Sequence, residues 1–512
     1  MSELKWARVS PVAILYFFVT IVFTWASSLI YALPAAILLL PTLKDNPAPF
    51  LFGLFSLFTA ITIASILKYK FYFYRLGKDR VEIRQGLIKK THLDLPFVKI
   101  QNVKIIEPFY YRFSDYAILE LDTAGSAQQE AKMVAIRLSE AESIRQKIQL
   151  ANSMGPSSQP PETLKNPHQA SINAEITLNT RSIKDLVVHG LTNNRIWIFI
   201  GFLAPFYNTV SNNIAKVLGA LGLDFTSYLN YDTQTLWIFL LHVFSIVMLL
   251  MLIVVIFSIM GSIFVFYDYR LSKTQERYIR RSGLLTKQEV SMNKSRIQRA
   301  VQQQDWLDVL IGRVNLIFEQ NTSGISHGAG ANQINHSNKL IIPSVTPMEA
   351  DELVADVFKS GDDLSCIKFS RVSARLVLRY FLFPCLPLIL LAAGFAYATD
   401  QSVQVWLSLG LLTVALVAAC ILRWYRWGFA HDNDYIFIRQ GFLGRDLCIF
   451  PIEKLQQIGF SQTPLMRKNG LATLTVVLAS GGIKVPYLPQ QVVIAMIDDG
   501  LLQIARDKPA WM

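Results

Sequence analysis

Charged residues are scarce in this chain of 512 residues, where Asp, Glu, Lys and Arg together make up 17% of the sequence. Soluble domains usually carry about a quarter charged residues. The scarcity is local, because long apolar runs alternate with stretches of ordinary polarity. Together with a mean hydropathy of +0.34, this pattern indicates a membrane protein with soluble parts.

Cysteine and histidine are also few, with four and seven copies. No two cysteines have the CxxC spacing, and Cys385 and Cys420 lie inside apolar runs, so the sequence predicts neither a disulfide framework nor a zinc site. His327 and His336 lie in a Gly/Asn/Ser-rich insertion with no other residue nearby at ligand spacing. We therefore expect no metal and no cofactor.

Recognisable catalytic motifs are missing as well. The sequence has no nucleophile elbow, no phosphate-cradling glycine loop, no HExxH pair and no paired-carboxylate constellation, so we expect no enzymatic activity. The net charge of +12 is concentrated beside apolar runs, which favours a cytoplasmic membrane face over a nucleic-acid surface. Because no recognition module is visible, we expect no nucleic-acid partner.

Six apolar runs are candidates for membrane-spanning helices, which need about 20 residues each. The runs are 11–40, 50–67, 196–218, 236–266, 376–397 and 403–422. Four polar residues interrupt the third run, whose second half either spans or lies flat at the interface. Basic residues flank the outer ends of each pair of runs and are nearly absent between them. The positive-inside rule therefore predicts three hairpins, with both termini and every soluble block in the cytoplasm.

An internal repeat follows each hairpin. The three copies read VEIRQGLIKKTHLDLPFVKIQNV, RYIRRSGLLTKQEVSMNKSRIQRA and IFIRQGFLGRDLCIFPIEKLQQI. Each copy has a glycine followed fifteen residues later by a glutamine, without gaps: Gly86 and Gln101, Gly283 and Gln298, Gly441 and Gln456. The glycine lies between β-type runs, so we interpret it as a hairpin turn. We interpret the glutamine as satisfying backbone groups at a bend, with ligand contact as the alternative.

The repeat predicts an α+β membrane protein, because each copy continues into alternating strands and closes with a helical pattern. The predicted transmembrane hairpins cover residues 1–67, 181–266 and 367–423. The predicted β-rich domains cover 68–152, 267–360 and 424–508. Residues 153–180 contain a Pro/Ser/Asn-rich stretch and are predicted to form a flexible linker.

At this register the chain resembles the bacterial pleckstrin-homology (PH)-like membrane proteins of the YdbT-like group. The IRQG turns, the K/R-I/L-Q strand and the segment PLMRKNGLATLTVVLASGG carry the resemblance, which covers nearly the whole chain. It implies a PH-like fold of seven strands bent into a partly open barrel and capped by a C-terminal helix. It also implies location in the bacterial inner membrane and a partner, namely a shorter membrane protein with one hairpin and one such domain.

We predict a non-catalytic scaffold that presents three PH-like domains to partner membrane proteins or anionic lipids, in envelope maintenance; self-association is a further option. A transporter or channel component is the alternative, although the apolar runs hold essentially no ionisable residues at mid-membrane. Basic residues near the hairpins are candidates for facing lipid, or they only enforce topology. These candidates are Lys89, Lys90, Arg280, Arg281, Lys294 and Arg296.

Overall fold

A computed structural model of the chain describes residues 6–38, 48–77, 79–86, 90–123, 131–153, 175–192, 236–274, 277–320, 339–358, 367–399, 402–432 and 434–507. The chain forms two compact units. The first contains residues 1–272 with 279–291, and the second contains 273–278 with 292–512. The described residues combine helices with antiparallel sheets, which confirms the α+β prediction.

The first copy of the repeat lies in the first unit. Strand β1 (Ala7–Arg8) precedes a pair of apolar helices, α1 (Ala13–Leu38) and α2 (Ala48–Lys70), whose Phe18 and Phe58 rings lie 5.5 Å apart. Next come β2 (Phe73–Leu76), β3 (Arg80–Gln85), β4 (Thr91–Pro96), β5 (Ile100–Glu107), β6 (Tyr116–Thr123), β7 (Ala131–Arg137) and α3 (Leu138–Ser153). One core joins the strands to the closing helix, with Ile83, Leu119 and Ile144 almost fully buried.

The N-terminal part of the second copy lies mainly in the first unit, while the ends of some of its strands fall in the second. It consists of β8 (Ile176–Thr180), α4 (Ile183–Thr192), α5 (Leu236–Phe266), β9 (Arg270–Thr274), β10 (Arg277–Ser282) and β11 (Lys287–Asn293). Helix α4 packs closely on α5, because the Ser258 hydroxyl donates to the Gly190 carbonyl at 2.7 Å and a Cβ on Gly190 would lie 2.5 Å from Ile259 Cα. Glycine at this position therefore permits the two helices to approach.

The second unit begins with the rest of the second copy: β12 (Ile297–Gln304), α6 (Trp306–Ile311), β13 (Val314–Gln320), β14 (Lys339–Val345) and α7 (Pro347–Phe358). An apolar hairpin follows, made of α8 (Arg375–Tyr380), a π-helical turn (Phe381–Cys385), α9 (Leu386–Ala398) and α10 (Val403–Arg426). The π-helical turn contains Pro384, which has no backbone N–H to continue the regular helical hydrogen bonds.

The third copy completes the second unit. Its elements are β15 (Gly428–His431), β16 (Tyr435–Gln440), β17 (Arg445–Pro451), β18 (Leu455–Ser461), α11 (Pro464–Lys468), β19 (Leu471–Leu478), β20 (Gly481–Pro489) and α12 (Gln490–Asp507). Counting the strands that follow each hairpin as the main strands, a single turn of 3-10 helix connects the third to the fourth in every copy. These turns are Phe97–Lys99, Lys294–Arg296 and Ile452–Lys454. The repeat detected in the sequence is therefore a repeat of strands, turns and closing helix.

An additional strand of each copy comes from the residues before the hairpin. Strand β1 pairs with β2, and β8 lies beside β9 at the end of its sheet. In the third copy Ser370 forms an antiparallel bridge with Phe429. The hairpins are thus inserted after the first strand, whereas the sequence places the domain starts after the hairpins, at 68, 267 and 424. Strand β8 also occupies the end of the predicted linker at 153–180, whose residues 154–174 lie outside the described ranges.

Three of the described helices are long and apolar enough to cross a membrane: Leu51–Lys70, Arg375–Ala398 and Val403–Arg426. Shorter apolar helices occupy Ala13–Trp25 and Met251–Phe266, while the predicted third run, 196–218, lies outside the described residues. Six spanning helices in three hairpins therefore stay a prediction.

Candidate functional site

The sheets continue from one copy of the repeat into the next. In the first unit β5 pairs antiparallel with β11, with Glu107 opposite Lys287 and Lys104 opposite Val290. The resulting seven-stranded sheet has the order β7-β6-β5-β11-β10-β9-β8. Strand β5 directly follows the 3-10 turn of the first copy, and β11 directly precedes the 3-10 turn of the second copy. The junction therefore joins these two strand types.

The second unit repeats this junction with the equivalent strands. Strand β12 pairs antiparallel with β17, with Ala300 opposite Ile449 and Gln304 opposite Arg445, in a sheet ordered β14-β13-β12-β17-β16-β15. Gly444 permits the close approach, because a Cβ there would lie 2.2 Å from the Gln304 carbonyl oxygen. Backbone pairing of two exposed strand edges is therefore the recurrent way in which neighbouring copies join.

Two strands of the same types have one open side among the described residues. Strand β4, the equivalent of β11 and β17, ends the sheet ordered β1-β2-β3-β4. Strand β18, the equivalent of β5 and β12, ends the sheet ordered β18-β19-β20, and its Phe460 side chain is 46% exposed. Exposed strand edges are sites of pairing with another chain unless they are covered. We call these two open sides the terminal edges, and they form the candidate interaction site.

The repeated glycines share a backbone conformation that residues with a side chain rarely adopt. Gly86, Gly283 and Gly441 all have positive φ values, of 108°, 121° and 156°. A Cβ on Gly283 would lie 1.9 Å from the Thr286 carbonyl oxygen, and one on Gly441 would lie 2.4 Å from that of Gly444. These glycines therefore shape the turn before the junction strand and supply no side chain to a site.

The repeated glutamines mark an irregularity in the fourth main strand of each copy. Pairing with the next strand shifts register between Ile100 and Asn102, between Ile297 and Arg299, and between Leu455 and Gln457. The residues skipped by these shifts are Gln101, Gln298 and Gln456. Bulged residues bend a strand and increase its twist, so the shared position is structural. Gln298 is buried with its side-chain nitrogen 3.5 Å from the Arg296 carbonyl oxygen, whereas Gln456 is exposed.

The basic residues considered for lipid contact occupy different environments. Lys90 is exposed, Arg296 is half-buried, and Lys89 lies outside the described residues. Arg280 is only 4% exposed, and burial lowers the pKa of its guanidinium. Arg281 pairs with Glu175 at 2.5 Å and with Glu289 at 3.0 Å. Burial of Arg280 and ion pairing of Arg281 argue against a lipid-facing role for either residue.

Lys294 belongs to a polar cluster inside the second unit. Its ammonium group lies 2.7 Å from Asp356, whose carboxylate also accepts hydrogen bonds from Lys273 and Tyr278. The ring of Tyr278 stacks on Phe318, with centroids 5.9 Å apart. Burial raises the pKa of Asp356, but hydrogen bonds from Lys273, Lys294 and Tyr278 outweigh it and hold that pKa at about 2. Lys294 therefore contributes to the fold, which could not be seen from its position beside an apolar run.

Within the described ranges, no group of three or more His, Cys, Asp or Glu side chains is arranged to hold a metal ion. His327 and His336 lie outside those ranges.

Comparison with known proteins agrees with the resemblance seen in the sequence. A family model described as the bacterial PH domain matches residues 14–152 and 377–499, which cover most of the first and third copies and together make up half of the chain. The chain is also similar to the UPF0699 transmembrane protein YdbT of Bacillus subtilis (strain 168), with 22% identity over 442 residues and 83% coverage of each chain. The apolar helices and these matches show a membrane protein with PH-like domains. The chain therefore belongs to the bacterial PH domain family.

Proposed function

We propose that the chain is a non-catalytic scaffold, held in the bacterial inner membrane by three helix hairpins and presenting three PH-like domains in the cytoplasm. It assembles with other membrane proteins and contacts anionic lipids, in the service of envelope maintenance. The charge pattern supports this orientation, because basic residues flank the outer ends of the apolar pairs and are nearly absent between them.

The recurrent junction between copies is the observation that carries this proposal. Two separate pairs of equivalent strands, β5 with β11 and β12 with β17, join by antiparallel edge pairing. Such pairing depends on main-chain hydrogen bonds and needs few specific side chains, so further PH-like domains can use it. This chain joins its own domains in this way, and its terminal edges include one strand of each type, β4 and β18. A partner domain can therefore add to either edge by the same pairing.

The partner that we propose is a shorter membrane protein with one hairpin and one PH-like domain. Its strand equivalent to β11 and β17 would pair with the terminal edge of β18. The residue of β18 equivalent to Gln302 is Phe460, four residues after the repeated glutamine in each case, and Gln302 faces Leu447 of β17. Phe460 should therefore lie against the partner strand.

Site-specific photo-cross-linking in native membranes tests this proposal. A benzoylphenylalanine replacing Phe460 is expected to give a product larger by the mass of a single-hairpin PH-like protein, identified by mass spectrometry. The matched control replaces Leu502 of the closing helix, which is 69% exposed but lies on no strand edge. A product of twice the chain mass would replace the proposed partner by a second copy. Equal cross-linking at both positions, or none at Phe460, would contradict the proposal.

A further inference from the structure

Four arginines line a cleft of about 300 Å³ at the base of the third hairpin, in the second unit. They are Arg371, Arg426, Arg439 and Arg445, and the other lining residues are Ile367, Phe369 and Tyr425. Arg426 is the last residue of α10, and Arg371 lies four residues before α8 begins. Both ends of this apolar hairpin therefore meet the cleft.

Strand pairing brings these separated residues together. Ser370 exchanges backbone hydrogen bonds with Phe429, at 2.8 and 3.0 Å, which places its neighbours Phe369 and Arg371 on one face of the sheet. Arg439 of β16 lies opposite Gly428 of β15. The turn that starts at Gly441 then returns the chain to Arg445, at the beginning of β17. The cleft thus combines residues that precede the apolar hairpin in the sequence with residues that follow it.

Two of the guanidinium groups are held in fixed orientations. The Nε of Arg439 donates to the Arg426 carbonyl at 3.3 Å, and its guanidinium lies 4.8 Å from the centre of the Phe369 ring. Arg371 lies 5.0 Å from the centre of the Tyr425 ring. Gly428 provides the space, because a Cβ there would lie 3.2 Å from Nε of Arg439. Stacking occupies the faces of these groups and leaves the in-plane N–H donors for a ligand.

The positive charge in the cleft has no counter-charge within the described part of the chain. None of the four arginines forms an ion pair with a described carboxylate, and the buried Nε of Arg426 has no hydrogen-bond partner there. Burial, followed by the charges of Arg445, Arg426 and Arg371, lowers the pKa of Arg439. Converging cations that are partly removed from water are stabilised by an anion that accepts several hydrogen bonds.

We infer that this cleft binds the phosphate of an anionic phospholipid headgroup. Arginine suits phosphate because its planar group donates two parallel hydrogen bonds. The location favours a lipid source, since the helices that reach the cleft are two of the three described helices able to cross a membrane. The inference rests on the proposed function only in requiring that this domain lie beside a lipid surface.

Lipid retention by the purified full-length chain tests the inference. Protein reconstituted in nanodiscs with mixed phosphatidylglycerol and phosphatidylcholine is extracted in neutral detergent, and retained lipid is measured by native mass spectrometry. The double substitution Arg439→Gln and Arg445→Gln is expected to reduce retained phosphatidylglycerol at least tenfold. Arg371→Gln, at an exposed position, provides a second variant if the double substitution lowers the yield of folded protein.

The matched control is Lys287→Gln in the second copy. Lys287 is exposed and lies four residues after Gly283, as Arg445 lies four residues after Gly441. The control removes an equivalent cation from a cleft that contains carboxylates, and it is expected to change retention less than twofold. Arg445→Lys keeps the charge but not the planar fork and should give an intermediate loss.

A second arm separates the lipid from a soluble anion. Inorganic phosphate at millimolar concentration is added to lipid-free protein in neutral detergent, and the shift in melting temperature is recorded. Retention of phosphatidylglycerol without a phosphate shift supports the lipid source; a shift that the double variant abolishes assigns the cleft to free phosphate. Equal retention and equal shifts in wild type and variants would overturn the inference. The cross-link at position 460 is scored separately, so loss of one result does not remove the other.

Discussion

The second and third copies of the repeat carry equivalent clefts with opposite electrostatics. In both, an arginine lies two residues before the turn glycine and a basic residue lies four residues after it: Arg281 and Lys287 in the second copy, Arg439 and Arg445 in the third. The cleft of the second copy, of about 350 Å³, adds Arg112 and four carboxylates. These carboxylates are Glu107, Glu142, Asp268 and Glu289. Among the residues that the structure describes, the cleft of the third copy is lined by four arginines and no carboxylate.

The difference lies in a few side chains placed on the same backbone frame. Asp268 stands fifteen residues before Gly283, at the position that Arg426 occupies before Gly441. Glu289 also pairs with Arg145 of α3, so the ion pairs of the second copy join it to the first. Basic residues at these equivalent positions pair with carboxylates and stabilise the junction in the second copy. In the third copy, where the described lining has no carboxylate, they leave a basic cleft for an external anion.

The largest effect on stability is expected when Gly444, in the turn of the third copy, is replaced by the equivalent residue of the second copy. Gly444→Thr introduces the residue found at position 286. Its Cβ would lie 2.2 Å from the Gln304 carbonyl oxygen and 3.0 Å from Asp305 Cα, so the β12–β17 junction must open. We expect the free energy of unfolding to fall by about 3 kcal/mol. Thermal unfolding in detergent measures it.

The control for this substitution is Gly482→Ala in β20, where the nearest atom to a new Cβ is 3.7 Å away. It should change the free energy of unfolding by less than about 1 kcal/mol. If Gly444→Thr were no more harmful than this control, the two junction turns would not differ as the structure indicates.

The sequence predicts the repeated parts of the fold well, because they have local signals. The turns at Gly283 and Gly441, the strands beside them and the closing helices follow from composition and periodicity. The two-residue strand β1 could not be predicted, since it spans a single two-residue period and pairs across an entire hairpin. The sheet junctions could not be predicted either, because edge pairing joins backbone groups and leaves no side-chain pattern.

The basic cleft was hidden in the sequence for a related reason. Its arginines come from four segments, and beside apolar runs such residues are interpreted as topology signals. One signal could have indicated it: an arginine two residues before each turn glycine, with an aromatic residue before the hairpin. In the first copy Arg84 stacks on Trp6 at 4.0 Å, as Arg439 stacks on Phe369 in the third. The six basic residues predicted to face lipid are not among the four arginines of this cleft. The burial of Arg280 could not be predicted either, because it results from tertiary packing.

The next effect in size tests how the second copy neutralises its other basic residues. Asp356→Asn removes the carboxylate that accepts from Lys273, Lys294 and Tyr278, and we expect a loss of about 2 kcal/mol at pH 7. The pKa of Asp356 is lowered from 3.8 to about 2 in the folded state, so its contribution is full above pH 4. It is lost as the pH falls from 3.8 to about 2.

Chemical denaturation at pH 7 and at acidic pH measures this contribution. The difference between wild type and Asp356→Asn should shrink as the pH falls below 4. A variant as stable as wild type at pH 7 would mean that Lys294 is not held by this carboxylate and is available to lipid.

A smaller effect compares the equivalent arginines of the two clefts. Arg281→Ala breaks the pairs with Glu175 and Glu289, and because Arg281 is 40% exposed we expect a loss of only about 1 kcal/mol. Arg439→Ala loses stacking on Phe369 but relieves repulsion from three arginines, so the free energy of unfolding should change by less than about 0.5 kcal/mol. Melting curves in phosphate-free buffer measure both. A greater loss for Arg439→Ala would contradict the contrast between the clefts.

An effect of similar size but opposite sign concerns Asp446, beside Arg445 in the β12–β17 junction, where the second copy has the neutral Gln288. Burial and the charge of Asp305 raise the pKa of Asp446 from 3.8 to about 6. A carboxyl whose pKa is higher in the folded state destabilises the fold as it ionises, so the cost grows from pH 3.8 to about 6 and is constant above. A pKa change of this size corresponds to at most about 3 kcal/mol above pH 6. Because Asp446 is only half-buried, we expect Asp446→Asn to stabilise the chain by about 1 kcal/mol at pH 7.5 and by almost nothing at pH 4. Asp498→Asn, on the exposed side of α12, is the control and should have little effect at either pH. Because the expected gain depends on pH while a packing improvement would not, equal stabilisation at both pH values would assign the effect to packing and remove Asp446 from the electrostatic contrast.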